Sequence, residues 1–212
     1  MSSTNRGAER SPADYYVTKI PDILAFLQAF AEDCPAFANQ HILDPCAGGD
    51  DRNPMSYPEA IRQAGWNEAQ IDTIDIRPDS LAACKGDYLR MDLDVAPDII
   101  ISNPPFCLAL ELIQKALREV KRGGLVIMLL RLNFFGSQKR RSWFQANMPL
   151  YTYVHAERLG FWPERPSQAM LDWWASLGKE DQPKSTSTDS IEYMHCVWVR
   201  GHQPRFTQLR VI

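Results

Sequence analysis

The run Asp98-Ile99-Ile100-Ile101-Ser102, with Pro97 before it and Asn103-Pro104-Pro105-Phe106 directly after, is the stretch that the rest of the chain must accommodate. A short apolar run bounded by prolines on both sides reads as a buried strand that stops abruptly. Two consecutive prolines fix φ twice and remove two backbone donors, so the carbonyls at the strand's carboxyl end are left to face a pocket. The Asn103 side-chain oxygen and the Pro104 carbonyl form an acceptor pair suited to one exocyclic amino group. Hydrogen bonds to both would draw that nitrogen out of conjugation and free its lone pair for attack on an electrophile. Phe106 offers a face on which a planar base can stack. A strand ended by a proline turn with a core Phe has the same local pattern, so the neighbouring segments have to decide between the two.

At 212 residues and 45% hydrophobic content the chain suits one domain with a substantial core. The expected division is a disordered lead-in over 1–13 and a single domain over 14–212, with a flexible insert at 161–190. There is no apolar run of about 18 residues, and the polar start from Met1 to Arg10 lacks the apolar core of a secretory signal, so the expectation is a cytoplasmic protein with no membrane span. Cys34, Cys46, Cys84, Cys107 and Cys196 are odd in number and never form a C-x-x-C, which argues for buried reduced thiols and no metal site. His195, beside Cys196 in an apolar run, reads as a packed histidine. A net charge of -3 does not mark a nucleic-acid binder, so any basic surface must be local.

Taken in order, Ile23 to Phe30 shows helical spacing entered through Pro21. Gln40 to Leu43 reads as a strand that runs into Asp44-Pro45-Cys46-Ala47-Gly48-Gly49-Asp50, where small residues let a ligand approach the backbone. The spacing is neither G-x-G-x-x-G nor a phosphate loop, which favours a nucleoside-like ligand without a phosphate chain. Ser56 and Glu59 stand at capping-box spacing with Pro58 between them, predicting a helix through Ala64. Ile71 to Ile76 is a second strand tipped by Asp75, the place where doubly wound folds hold ribose hydroxyls. Gly86-Asp87-Tyr88 closes a weak third strand. A helix over Ala109 to Val120 stops at Gly123-Gly124 before the strand Leu125 to Leu130, and further strands are expected at Tyr151 to Val154 and Ile191 to Val199. Strands alternating with helices predict a mainly parallel α/β sheet, its site lying along the carboxyl edge.

With Asp44-Pro45-Cys46-Ala47-Gly48-Gly49, Asp75, Gly86-Asp87-Tyr88 and Asn103-Pro104-Pro105-Phe106 in this order, the chain resembles the S-adenosylmethionine-dependent amino-methyltransferases. It is most similar to the adenine-N6 DNA methyltransferases, including small phage or prophage types. The resemblance implies a Rossmann-like α/β class I methyltransferase fold, with a mainly parallel seven-stranded sheet flanked by helices and an antiparallel C-terminal strand, S-adenosylmethionine as cofactor, and methyl transfer to adenine N6 in DNA with base flipping. It also implies that Asp44, Cys46, Ala47 and Gly48 surround the methionine part of the cofactor. Asp75 would hold the ribose, Ile76 would pack on the adenine ring, and Asp87, with Tyr88 beside it, would accept from the adenine amino group. Asp14, Tyr16 and Thr18 match an N-terminal Asp-x-Tyr-x-Thr element of the cofactor site, although Lys19 stands where proline is frequent. Asn103, Pro104, Pro105 and Phe106 would be the catalytic set. Related sites also serve RNA adenine-N6 or guanine-N2, DNA cytosine-N4 and protein glutamine, and a degenerate, non-catalytic nucleic-acid scaffold is a reading from a different class.

The basic and aromatic segment after the fifth strand, Arg131 through Lys139, Arg140 and Arg141 to Trp143, leaves the same carboxyl edge and is the first candidate for phosphate contacts. A solvated basic turn anchored by Trp143 and Phe144 is the plainer alternative. Arg165, in Arg165-Pro166-Ser167, resembles a family element near the flipped base. Trp173 and Trp174 either wedge into DNA or cover the sheet, the latter being preferred. With no separate recognition domain expected, specificity should be short or relaxed unless a protein partner supplies it. DNA is the preferred partner and RNA the alternative.

Overall fold

The structure is a computed structural model and describes residues 17–35, 40–66, 68–161 and 191–212. Among these residues, eight strands form one sheet. They are β1 (His41–Asp44), β2 (Gln70–Asp75), β3 (Cys84–Lys85), β4 (Ile99–Ser102), β5 (Leu125–Arg131), β6 (Tyr151–Val154), β7 (Tyr193–Val199) and β8 (Gln208–Val211). Their spatial order is β3-β2-β1-β4-β5-β7-β6-β8. The first five are mutually parallel, β7 lies antiparallel between β5 and β6, and β8 runs parallel to β6. Seven of these strands match the expected positions. The eighth, Gln208-Leu209-Arg210-Val211, alternates polar and apolar residues over only four positions and leaves Leu209 and Val211 exposed with Arg210 half-buried, so burial of an apolar face does not fix it and its pairing with β6 comes from tertiary contact.

The helices α1 (Ile20–Asp33) and α2 (Ser56–Gln63) cover one face of the sheet, packing Phe26, Leu27, Phe30, Tyr57 and Ile61 on Ile42, Ile99, Ile101, Ile127 and Val197. On the other face, α3 (Ala109–Glu119) packs Leu112, Ile113 and Ala116 over Ile100, Val126, Met128 and Cys196. β5 is therefore buried on both sides, which explains why Leu125 to Leu130 is a continuous apolar run with no alternation. Helix α3 ends at Glu119, short of the glycines. Gly123, at φ +79°, makes the turn into β5, and a Cβ on Gly124 would come within 2.6 Å of the Asp98 carbonyl oxygen, so this turn accepts no larger residue.

The expected capping box at Ser56 does not form. Met55 is the N-cap residue, Ser56 already lies in the first turn, and the Glu59 carboxylate instead binds Arg62 and Gln63. Starting the helix one residue earlier places Pro58 among the first amide positions, where no donor is needed, and turns Ser56 into the cleft described below.

The chain enters the sheet at β1, moves outward to β3, then returns past β1 to β4 and β5. Strand order thus reverses between β1 and β4, and the crevice opened by such a reversal lies beyond the carboxyl ends of those two strands. This topology sets Asp44 beside Ser102 and Asn103.

Candidate active site

Asp44 and Ser102 join the two strand ends. Asp44 is 1% exposed, and its Oδ1 accepts hydrogen bonds from the Ser102 hydroxyl at 2.6 Å and from the Cys46 amide at 3.1 Å. Its Oδ2 is buried and has no partner among the described residues. Burial pushes the Asp44 carboxyl up to about 7, against the lowering effect of those two hydrogen bonds and with a smaller upward push from the charge of Asp75.

The loop after β1 is pinned to the end of β2. Gly48 and Gly49 take φ of 64° and 74°, a region that favours glycine. The Gly48 amide donates to Asp75 Oδ2 at 2.7 Å, and the other Asp75 oxygen accepts from the Arg77 amide at 2.8 Å. Asp75 is buried. The Ser80 hydroxyl and Leu81 amide hold the Gly48 carbonyl from the opposite side. Further along, the Gly86 amide donates to the Asp75 carbonyl at 3.0 Å, and Asp87 opens the short helical turn Tyr88–Arg90 by accepting from the Leu89 amide at 3.0 Å. Ile76 is 62% exposed, an apolar side chain left uncovered at the strand end.

On the β4 side the Asn103 amide is fixed. Its Nδ2 donates to Thr18 Oγ1 at 3.0 Å, Thr18 being 3% exposed, and its Oδ1 is buried with no partner among the described residues. Phe106 is half-buried. Its ring lies 5.8 Å from that of Tyr193, and the Arg131 guanidinium sits 4.7 Å over it.

These elements enclose one cleft. Thr18, Cys46, Ala47, Gly48, Asp75, Ile76, Asp87, Tyr88, Asn103, Pro104, Pro105 and Phe106 all line it, with Asp44 beneath its floor. Gly49, of the glycine motif, and Ser56, expected only as a helix cap, line it too, as do Tyr57, Arg77, Leu89, Leu108 and Leu112, which the sequence did not single out. Tyr57 is the least foreseeable, because its hydroxyl partner is His195, on the far side of the sequence. Asp14, Tyr16, Arg165, Trp173 and Trp174 lie outside the described residues.

Exposed Ile76 with Leu89, Leu108 and Leu112 supplies an apolar wall, and buried Asp75 and half-buried Asp87 add carboxylates to the lining. That set of groups fits a nucleoside, with apolar contact for a ring and acceptors for hydroxyl and amino groups. Among the described lining residues Arg77 is the one basic side chain, and it is tied to Asp79 at 3.0 Å, which does not suit a polyphosphate.

The basic turn leaves β5 at its carboxyl end. Arg140 is part of the turn's own framework: its Nε donates to the Phe134 carbonyl at 2.9 Å and its guanidinium lies 4.2 Å over the Phe134 ring. Lys139 and Arg141, which opens the short helix α4 (Arg141–Ala146), are exposed. Trp143 and Phe144 pack edge to face at 5.1 Å and anchor this segment. Among the described residues, no three His, Cys, Asp or Glu side chains gather to hold a metal ion, and no helix is long and apolar enough to cross a membrane.

No family model and no curated protein matches the chain. Solved structures do. A structure from Listeria monocytogenes assigned to the class I S-adenosylmethionine-dependent methyltransferases aligns with a TM-score of 0.57 at 12% identity, over 92% of this chain and 65% of that one. The M protein of the type I restriction enzyme EcoKI aligns with a TM-score of 0.51 at 11% identity, over 82% of this chain and 44% of that one. This chain spans less than two-thirds of either protein's length, and at such identities the likeness is one of fold. Strand order, parallel core and antiparallel β7 together give this chain the Rossmann-like fold of the class I methyltransferases.

Proposed function

We propose that this chain transfers a methyl group from S-adenosylmethionine to the exocyclic N6 amine of adenine in DNA. The observation that carries the reading is Asn103, whose amide nitrogen is engaged by Thr18 while its oxygen is a buried acceptor with no partner among the described residues, beside Pro104 in the cleft. A buried acceptor without a partner is costly, and an incoming N–H donor removes that cost.

The bound cofactor supplies a methyl group activated on a sulfonium. Asp75 and Asp87 would hold its hydroxyl and amino groups, with Ile76 against its ring. Asn103 Oδ1 and the Pro104 carbonyl would each accept one hydrogen from the target amine, which leaves the nitrogen lone pair as the only free valence and points it at the methyl group. Catalysis then rests on positioning. A strong base is not demanded, since the methylated nitrogen, cationic and conjugated to an electron-poor ring, loses its surplus proton to water. Phe106 would receive the flipped base on the face that Arg131 does not cover. Lys139 and Arg141, exposed on the carboxyl edge, would contact phosphates. The fold likeness to the M protein of a restriction enzyme supports DNA as the partner.

The test is transfer of labelled methyl from S-adenosylmethionine to duplex DNA, single-stranded DNA and RNA in parallel, followed by digestion to nucleosides. N6-methyldeoxyadenosine from the DNA samples is the expected product. Label confined to RNA would overturn the choice of substrate, and cofactor binding with no label in any sample would overturn nucleic acid as the acceptor.

A further inference from the structure

We infer that Lys115, midway along α3, is a positioning residue that gives the cleft its preference for an amino-bearing purine, by holding the turn on which Asp87 stands. The inference rests on reading the cleft as an S-adenosylmethionine site in which Asp87 accepts from the adenine amino group. Lys115 does not line the cleft. It is 8% exposed, and a lysine is rarely buried so deeply unless its ammonium is paired. Its Nζ donates to the Met91 carbonyl at 2.6 Å and to the Glu119 carboxylate one turn along the same helix, and it lies 5.1 Å from the centre of the Tyr88 ring. Two of these three partners, Tyr88 and Met91, bracket the helical turn Tyr88–Arg90 that Asp87 opens.

Three residues of 3-10 helix do not hold a shape of their own. Inside the segment, the Leu89 amide donates to Asp87 Oδ1 at 3.0 Å and the Arg90 amide to the Asp87 carbonyl at 2.8 Å. A Cβ on Gly86 would come within 2.6 Å of Met91 Sδ, so the two ends of 86–91 lie against each other. Fixing Met91 to α3 therefore fixes Asp87. The Lys115 ammonium supplies that anchor, binding the carbonyl that follows the turn and facing the ring of buried Tyr88. Arg90 is no substitute, because its ion pair with Asp87 at 3.2 Å comes from a side chain that is 86% exposed, where such pairs contribute little. Without the ammonium, the Met91 carbonyl would lose a charge-assisted hydrogen bond and the Asp87 carboxylate would no longer be held where an exocyclic amine must meet it.

The test compares the full-length wild type with Glu119→Gln, which keeps the ammonium on Met91, and with Lys115→Met. The last change is also combined with Glu119→Met, which strands no buried carboxylate should the single variant fail to fold. Circular dichroism establishes folding. Calorimetry then gives the Kd for S-adenosylhomocysteine and for its analogue with purine in place of adenine, which lacks only the amino group. The wild type and Glu119→Gln should prefer the adenine compound by about ten- to a hundredfold, the worth of one hydrogen bond to a charged group. In the variants without Lys115 that preference should shrink by about five- to tenfold, since a hydrogen bond weakens steeply once its geometry is lost, while the Kd for the purine analogue stays within about twofold of the wild type. A merely structural role would raise both constants together and leave their ratio unchanged. That result, or a preference lost in Glu119→Gln, would overturn the inference for Lys115 alone. A wild type that shows no preference, or binds neither compound, would defeat the underlying reading of Asp87 and the inference with it.

Discussion

The Tyr57 hydroxyl lies 2.9 Å from Nε2 of His195, a residue 138 positions further along the chain, and the other nitrogen of that ring lies 2.9 Å from Nε2 of His155. The His195 ring also stacks on Phe26 at 4.0 Å. A wall residue of the cleft is therefore held by two buried imidazoles from the antiparallel end of the sheet, and the three side chains bridge α2, β7 and the end of β6.

These imidazoles make the fold sensitive to acid. Burial lowers the His155 pKa to about 4 and holds that of His195 well below its ordinary value of 6.5, with the neighbouring His155 adding to the effect. Below pH 6.5 the unfolded chain takes up protons on both rings and the folded chain does not. Stability is thus fully present above that pH and is lost as pH falls toward 4, by up to about 1.4 kcal/mol per pH unit for each ring. Denaturant unfolding of His195→Asn between pH 4 and 8 should show a shallower dependence than the wild type. Equal slopes would remove the pair from this role.

Asp44 acts in the opposite direction. Its folded pKa of about 7 lies above the ordinary 3.8, so its contribution is fully present at low pH and is lost as pH rises through 7. Asp44→Asn keeps an oxygen for Cys46 and Ser102 and removes the buried charge. The variant's unfolding free energy should gain on the wild type between pH 4 and pH 7 by at most about 1.4 kcal/mol per unit. The melting temperature should therefore rise more at pH 8 than at pH 5, and an equal change at both would contradict the assignment.

Asp75 and Asn103 should separate binding from turnover. Asp75 holds the Gly48 and Arg77 amides as well as the rim of the cleft, and a hydrogen bond to a charged group is worth about 1.5–3 kcal/mol. Asp75→Ala should raise the cofactor Kd by roughly ten- to a hundredfold, as calorimetry would measure. Asn103→Ala should leave that Kd near the wild type and lower kcat by about a hundredfold or more, the usual effect of removing one oriented polar group from a reacting centre. The reverse pattern would exchange their roles.

Within the basic turn the three cations should behave differently. Lys139→Ala combined with Arg141→Ala should weaken DNA binding on all sequences and reduce the slope of log affinity against log salt by about 0.9 per lost phosphate contact. Arg140→Ala should chiefly lower the melting temperature, because its guanidinium bonds and stacks within the turn itself. A salt slope that responds to Arg140→Ala alone would contradict this division.

Much of the architecture was legible residue by residue. Ile99 to Ile101, Leu125 to Leu130 and Tyr193 to Val199 are apolar runs whose length and bounding residues specify buried strands, and Asn103-Pro104-Pro105-Phe106 marks where one of them must stop. Local pattern also placed Asp44, Gly48, Asp75 and Asp87 at strand ends, because backbone geometry depends mainly on nearby residues. Which groups meet across the sheet was decided only by the tertiary structure. The strand reversal between β1 and β4 brings Asp44 to Ser102 and Thr18 to Asn103, the return of β7 brings His195 to Tyr57, and β8 gains its strand geometry from β6. Hydrogen bonds between residues 58 to 138 positions apart leave no period in the sequence, and the burial that shifts Asp44 and His155 exists only once the layers have closed over them.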